Sequence, residues 1–167
     1  MKRVTVLLTL ALLGCSQPEA PSNNLHGLWE LVAMEVADTL GSLAPYRGGM
    51  QGYLLYSAEG HVALHLSDDG FQDSKEEFRN FTDTLSIDKL KYLTKSYHYV
   101  GNFSIEEWNE MDGVVKGKVQ HMKLAHSNPN EWNDSSVRLF ELKGDTLRMR
   151  PEEAANSSLR LVWYRHN

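Results

Sequence analysis

Seven histidines are spread through the chain, and five of them, His61, His65, His98, His121 and His126, lie in or beside short apolar segments. Imidazole suits metal ligation, proton transfer near neutral pH, or hydrogen bonding inside a pocket. The spacing argues against a metal. His61 and His65 stand four apart, which unites two side chains on a helix but separates them by roughly 13 Å on a strand, and no spacing matches a ligand signature. For proton transfer, His121 needs a second group whose pKa is driven away from its own; Glu35 is the candidate if its strand turns it inward. A solvated carboxylate at a rim is the competing reading of Glu35. For pocket lining, Tyr53, Tyr56, His65, His121 and Trp132 combine broad ring surfaces with a few polar atoms, which suits a small apolar or amphipathic ligand. Each of the five could equally be a core residue.

Other chemistries lack their residues. No Gly-x-Ser-x-Gly turn presents a nucleophile, and no glycine-rich loop cradles a phosphate, so no cofactor is expected. The acidic stretch from Asp68-Asp69-Gly70 through Asp73 to Glu76-Glu77 lacks the alternating ligands of an EF-hand. It reads as a solvated loop, which Lys75 and Arg79 with Phe71, Phe78 and Phe81 make amphiphilic enough to serve as a lid. Cys15 is the chain's one cysteine, which leaves neither an intramolecular disulfide nor a thiolate metal cluster.

The setting of Cys15 gives it a different role. Lys2 and Arg3 precede an apolar run, Val4 to Leu13, too short to span a bilayer as a mature helix. The run closes on Leu12-Leu13-Gly14-Cys15, which resembles the lipobox of bacterial lipoproteins. That resemblance implies cleavage after residue 14, acyl chains on Cys15 and a place in the cell envelope; Ser16 lacks the aspartate that retains such proteins in the inner membrane, so the outer membrane, facing the periplasm, is favoured in a Gram-negative source. An ordinary signal peptide cut elsewhere, or a hydrophobic N-terminal anchor, is the alternative. Residues 15–24 are polar and proline-containing, a flexible linker, and residues 25–167 have the size of one domain.

Removing Lys2 and Arg3 from the 17 basic residues leaves 15 against 22 acidic ones, a formal charge of −7. Such a chain is a poor partner for nucleic acid, and an anionic membrane surface would repel it, so membrane association rests on the acyl chains.

The pattern after Gly27 is one of short strands broken by turns. Strands are expected over Trp29–Val36, Tyr53–Ser57, Val62–Leu66, Tyr97–Ser104, Val114–Lys123, Val137–Leu142, Thr146–Arg150 and Leu159–Arg165. Glu59-Gly60, Asp112-Gly113 and Gly144-Asp145 supply residues that accept the positive φ of tight hairpins. Ile87, Leu90, Leu93 and Tyr97 instead recur at helical steps behind Ser86 as N-cap, predicting a helix of about three turns. Eight antiparallel strands with one inserted helix suggest an all-β closed barrel, which has no exposed edge and at that size is filled by side chains or holds one small ligand. A sandwich is the alternative.

Gly27-Leu28-Trp29-Glu30-Leu31-Val32 resembles the opening strand of bacterial lipocalin-like domains, with their Gly-x-Trp start. Gly52 to Gly60, Tyr99-Val100-Gly101-Asn102-Phe103, the stretch from His121 through Asn128-Pro129-Asn130 to Trp132, Arg138 to Leu147, and Leu161-Val162-Trp163 follow that family in order. Glu131, inserted before Trp132, and the missing glycine soon after it are departures. The resemblance implies a lipocalin-like antiparallel barrel. Trp29 would plug its closed end, with an arginine of the last strand such as Arg165 across the indole face. The leading function is binding of a small apolar or amphipathic molecule. An enzyme running isomerase- or hydrolase-type acid–base chemistry on His121 and Glu35, and an envelope module binding a protein partner, are the other readings.

Overall fold

The computed structural model describes residues 24–74 and 86–166. The signal segment, Cys15 and the linker to residue 23 lie outside the described residues, as do Lys75, Glu76, Glu77, Phe78, Arg79 and Phe81 of the expected lid.

Nine strands form one antiparallel sheet: β1 (Gly27–Ala37), β2 (Leu43–Pro45), β3 (Met50–Tyr56), β4 (His61–Asp68), β5 (Ser96–Met111), β6 (Val114–His126), β7 (Ser135–Lys143), β8 (Thr146–Pro151) and β9 (Leu159–Arg165). β9 pairs back onto β1 from Trp29↔Arg165 to Val36↔Leu159, closing eight strands into a barrel. The sandwich alternative is thereby excluded. β2, which the sequence reading did not anticipate, lies outside the ring and extends the far end of β1.

Turn chemistry and alternation account for most of this. Asp112 and Gly113 both take positive φ, 53° and 73°, the two-residue geometry whose twist matches the flanking strands. Along β3, Leu54 and Tyr56 are buried while Tyr53 and Leu55 are exposed; Val62, Leu64 and Leu66 continue the inner face on β4. With Val119, Phe140, Leu142, Leu147, Met149 and Trp163 they form one core inside the ring.

The structure departs from the simple pattern at three places. The β1–β9 register slips between Leu31 and Ala33, and a bulge of that kind inverts the alternation beyond it. Trp29 and Leu31 face inward, but past the slip Met34, not Glu35, lines the interior. The helix α1 (Ile87–Leu93) has two turns rather than three. Thr94 and Lys95 donate their N–H groups to the carbonyls of Lys91 and Tyr92, closing it, and Tyr97 belongs to β5, opposite Leu66. β5 itself runs on to Met111, past a second register slip near Glu107.

One end of the barrel is plugged. Trp29 and Leu25 are wholly buried, and Trp29 Nε1 donates to the Leu25 carbonyl at 2.9 Å. The Arg165 guanidinium lies 4.1 Å from the Trp29 ring centre, a contact worth about 0.5–2 kcal/mol depending on desolvation. It also donates to the carbonyls of His26 (2.6 Å) and Asn24 (2.9 Å) and pairs with Asp145 at 3.1 Å. Gly27 has φ 129°, and a Cβ there would stand 3.0 Å from Arg165 Nη1. The Gly-x-Trp start therefore has a mechanical reason: the glycine lets the arginine through to cover the tryptophan.

Candidate functional site

Halfway along the barrel, β6 turns His121 inward opposite Phe103 of β5 and Ser136 of β7. Both ring nitrogens are occupied: Nε2 by the Tyr56 hydroxyl and Nδ1 by the Tyr99 hydroxyl, each at 2.6 Å. Burial strips water from the imidazole, and the charges of Arg138 and Lys123 add to the effect, holding its pKa down at about 3. Burial in turn pushes the Tyr56 and Tyr99 hydroxyls above their ordinary range. All three groups are neutral at physiological pH. One ring N–H donates to one tyrosine and the other nitrogen accepts from the second, which fixes the rotamer of each. A base so hard to protonate is poorly matched to proton transfer near neutrality, and no contact joins Glu35 to His121 among the described residues. The acid–base pair is not assembled.

Beyond this layer the barrel opens into a cavity of about 470 Å³. One wall is apolar: Met34, Met50, Leu64, Leu66, Leu159 and Leu161. The other is polar, and its centre is Glu131, in the loop between β6 and β7. Lys123, inward on β6 and 4% exposed at its side chain, places Nζ 2.7 Å from Glu131 Oε2 and 3.6 Å from Asp134. Asn128 Nδ2 donates to Glu131 at 3.2 Å and the Tyr97 hydroxyl at 3.4 Å. Burial pushes the Glu131 carboxyl up, but the bond to Lys123 and its charge outweigh this and leave the pKa below the usual value. Burial, then the charge of Glu131, pushes Tyr97 up to about 12. His126 Nδ1 accepts the Asn128 N–H at 2.7 Å, which fixes a neutral ring with its proton on Nε2, 3.4 Å from Glu131.

Arg138 completes the polar wall. It follows Ser136 at the two-residue step of β7 that points inward, and Phe140 continues that face. Its Nη1 donates to the Val137 carbonyl at 3.0 Å and to both oxygens of Glu153 at 3.2 and 3.1 Å. Ser136 is 6% exposed, and its Oγ has no hydrogen-bond partner among the described residues. Such a buried orphan costs about 1–3 kcal/mol, so the fold tolerates it at this point in the cavity lining.

The five expected ligand residues fall on two sides of the sheet. Tyr56 and His121 are inside, beneath the cavity. Tyr53 and Trp132 are 43% and 53% exposed, and with His65, stacked on His98 at 6.1 Å, they border a shallow groove on the outer face together with Leu55 and Val100. Trp132 Nε1 donates to the His126 carbonyl at 2.7 Å, so this ring also braces the loop that carries Glu131. Phe71 of the expected lid stacks on Tyr92 of α1 at 5.0 Å. Of the cavity residues, Lys123 and Arg138 were not named as ligand contacts from the sequence, and Glu131 was read only as an insertion before Trp132. Lys123 and Arg138 are nonetheless legible, since they stand two residues from His121 and from the inward position Ser136 on their strands.

A closed eight-stranded barrel, plugged at one end and hollow at the other, has the architecture of barrels whose interior is wide enough for one small ligand. The sequence profile of the lipocalin-like domain matches residues 26–165, and the chain belongs to that family. No curated protein matches it.

Proposed function

We propose that this protein binds one small amphipathic molecule in the open half of its barrel. The observation that carries the reading is the cavity itself: about 470 Å³, within the usual range of ligand sites, with an apolar wall facing a wall of hydrogen-bonding groups. A ligand with an apolar body and one polar end would satisfy both. In the same reading the chain is exported and held in the cell envelope by acyl chains on Cys15, which the Lys2-Arg3 start, the short apolar run and Leu12-Leu13-Gly14-Cys15 support. Two acyl chains or more would hold it stably without help from the domain.

The test is native mass spectrometry of the purified domain, followed by organic extraction. Near-stoichiometric occupancy by an amphiphile, displaced by an apolar fluorescent probe, is expected. An empty barrel that also takes up no probe would refute the reading. For the anchor, full-length protein should partition into detergent and a Cys15→Ser variant should not; equal partitioning would remove the lipid from the account.

The envelope-partner reading draws on one observation, the exposed strip of Leu55, Val100, Met122, Leu124 and Trp132 on the outer face. Charged substitutions at Val100 and Leu124 would abolish partner capture while leaving probe uptake intact.

A further inference from the structure

On the strands of the barrel most cations have an acid of their own. Lys116 pairs with Glu141 at 3.1 Å, Lys118 with Glu107 at 2.9 Å and Glu152 at 3.0 Å, and Lys123, Arg138 and Arg165 are matched in the same way. Arg148 and Arg150 break the rule. They alternate with buried Leu147, Met149 and Pro151 along β8, so both point outward, and neither makes a hydrogen bond or ion pair among the described residues. Arg160 of β9 joins them: it stands one step beyond the register pair Met149↔Leu161, which sets it beside Arg150. Its Nη1 donates to the carbonyls of Ser157 (2.6 Å) and Leu159 (2.8 Å), which fixes the guanidinium without neutralising it.

The three arginines line a concavity of about 420 Å³ on the flank of the barrel, apart from the interior cavity. Like charges on neighbouring strands are destabilising, yet they gather here in a chain whose acids outnumber its bases, 22 to 17. Glu107 and Glu141 border the same hollow, but Lys118 and Lys116 hold them, although Glu141 also faces Arg148 across the β7–β8 pair. Glu35, the register partner of Arg160 on β1, makes no ion pair among the described residues. The surplus positive charge of the hollow is left for a solute.

We propose that Arg148, Arg150 and Arg160 bind the phosphoryl group of a small phosphate monoester, at a site distinct from the cavity of the barrel. A phosphomonoester carries a charge of about −1.5 to −2 at neutral pH and three acceptor oxygens, one for each guanidinium, and the arginine fork suits phosphate oxygens. A carboxylate has one charge and two oxygens, so it leaves one arginine unmatched. The body of the ester lies over Leu139 and Asn109, which line the same hollow. A lipid phosphodiester fits less well, because it carries a single charge and its membrane surface repels an acidic domain.

Phenyl phosphate, benzoate and phosphatidylglycerol vesicles separate these cases, with binding to the protein followed by NMR titration or vesicle sedimentation at fixed ionic strength near neutral pH. Phenyl phosphate should bind saturably, at least about tenfold more tightly than benzoate, and inorganic phosphate should compete with it. Arg148→Gln and Arg150→Gln, changes at exposed positions, should each weaken phenyl phosphate about tenfold. Lys143→Gln removes an exposed cation of β7 outside the hollow and should leave binding unchanged. Benzoate binding as tight as that of phenyl phosphate, an equal loss in Lys143→Gln, or no saturable binding of phenyl phosphate would overturn the site. Capture by the vesicles without saturable phenyl phosphate binding would overturn it too, and would make the arginines a membrane contact.

Discussion

The two ends of the barrel solve opposite problems with similar residues. Each has an inward arginine. At the plugged end each nitrogen of Arg165 donates one hydrogen bond, to Asp145 or to one of two backbone carbonyls, and the guanidinium plane covers Trp29; Trp29 and Leu25 beneath it are wholly buried. At the open end Arg138 is matched on one side only, beside a serine hydroxyl with no partner. A fully satisfied polar group stabilises a fold modestly, while an unsatisfied buried one costs free energy. The contrast separates the half that holds the protein together from the half left ready for something else.

Four measurements press on that contrast. The largest effect is expected at the plug: Trp29→Ala should lower stability by about 3–5 kcal/mol, as for large aromatic truncations in cores, read by chemical denaturation. A loss under about 1 kcal/mol would show that the plug is not the stabilising half. Next comes acid sensitivity at the boundary layer. The folded pKa of His121 is about 3 against an ordinary 6.5, so between these values the unfolded chain takes up a proton that the folded one refuses. This group's contribution is complete above about pH 6.5 and falls by about 1.4 kcal/mol per pH unit below it. Denaturation midpoints across that window should drop less steeply in His121→Gln, and an unchanged slope would assign the acid sensitivity elsewhere. Arg165→Ala should cost about 1–2 kcal/mol, from the lost contact with Trp29 and the uncovered carbonyls. Last is Ser136→Ala, which removes a buried orphan rather than a bond and should leave stability unchanged or raise it by about 1 kcal/mol; a large loss would mean that the open end is structural too.

The fold was readable because its signals are local. Gly27 and Trp29, the Asp112-Gly113 turn, and alternation along β3 and β4 each specify geometry within a few residues. The site was less readable, for two reasons. Period two forbids Tyr53 and Tyr56, three apart on one strand, from sharing a face, so the five aromatic and histidine candidates could never form one wall. Charged residues on strands suggest the solvent face, yet Lys123 and Arg138 point inward, and their partners Glu131 and Glu153 come from irregular loops, eight and fifteen residues on, whose path no periodicity predicts. The bulge after Leu31 likewise moved Glu35 out of register, which no count along the chain could reveal. β5 was cut short because Glu106 to Glu110 carry little apolar signal, although the backbone of Glu107 to Met111 pairs with Lys118 back to Val114.

The bonds from Arg165 to the carbonyls of Asn24 and His26 also fix where the polypeptide joins the barrel: under the plug, at the pole opposite the mouth. If the chain is anchored through Cys15 as proposed, a tether reaching that point would hold the molecule stem-down. Under the envelope-anchored carrier reading proposed above, the opening would look into the aqueous compartment, and a ligand would load and unload through water rather than by sideways extraction from the bilayer.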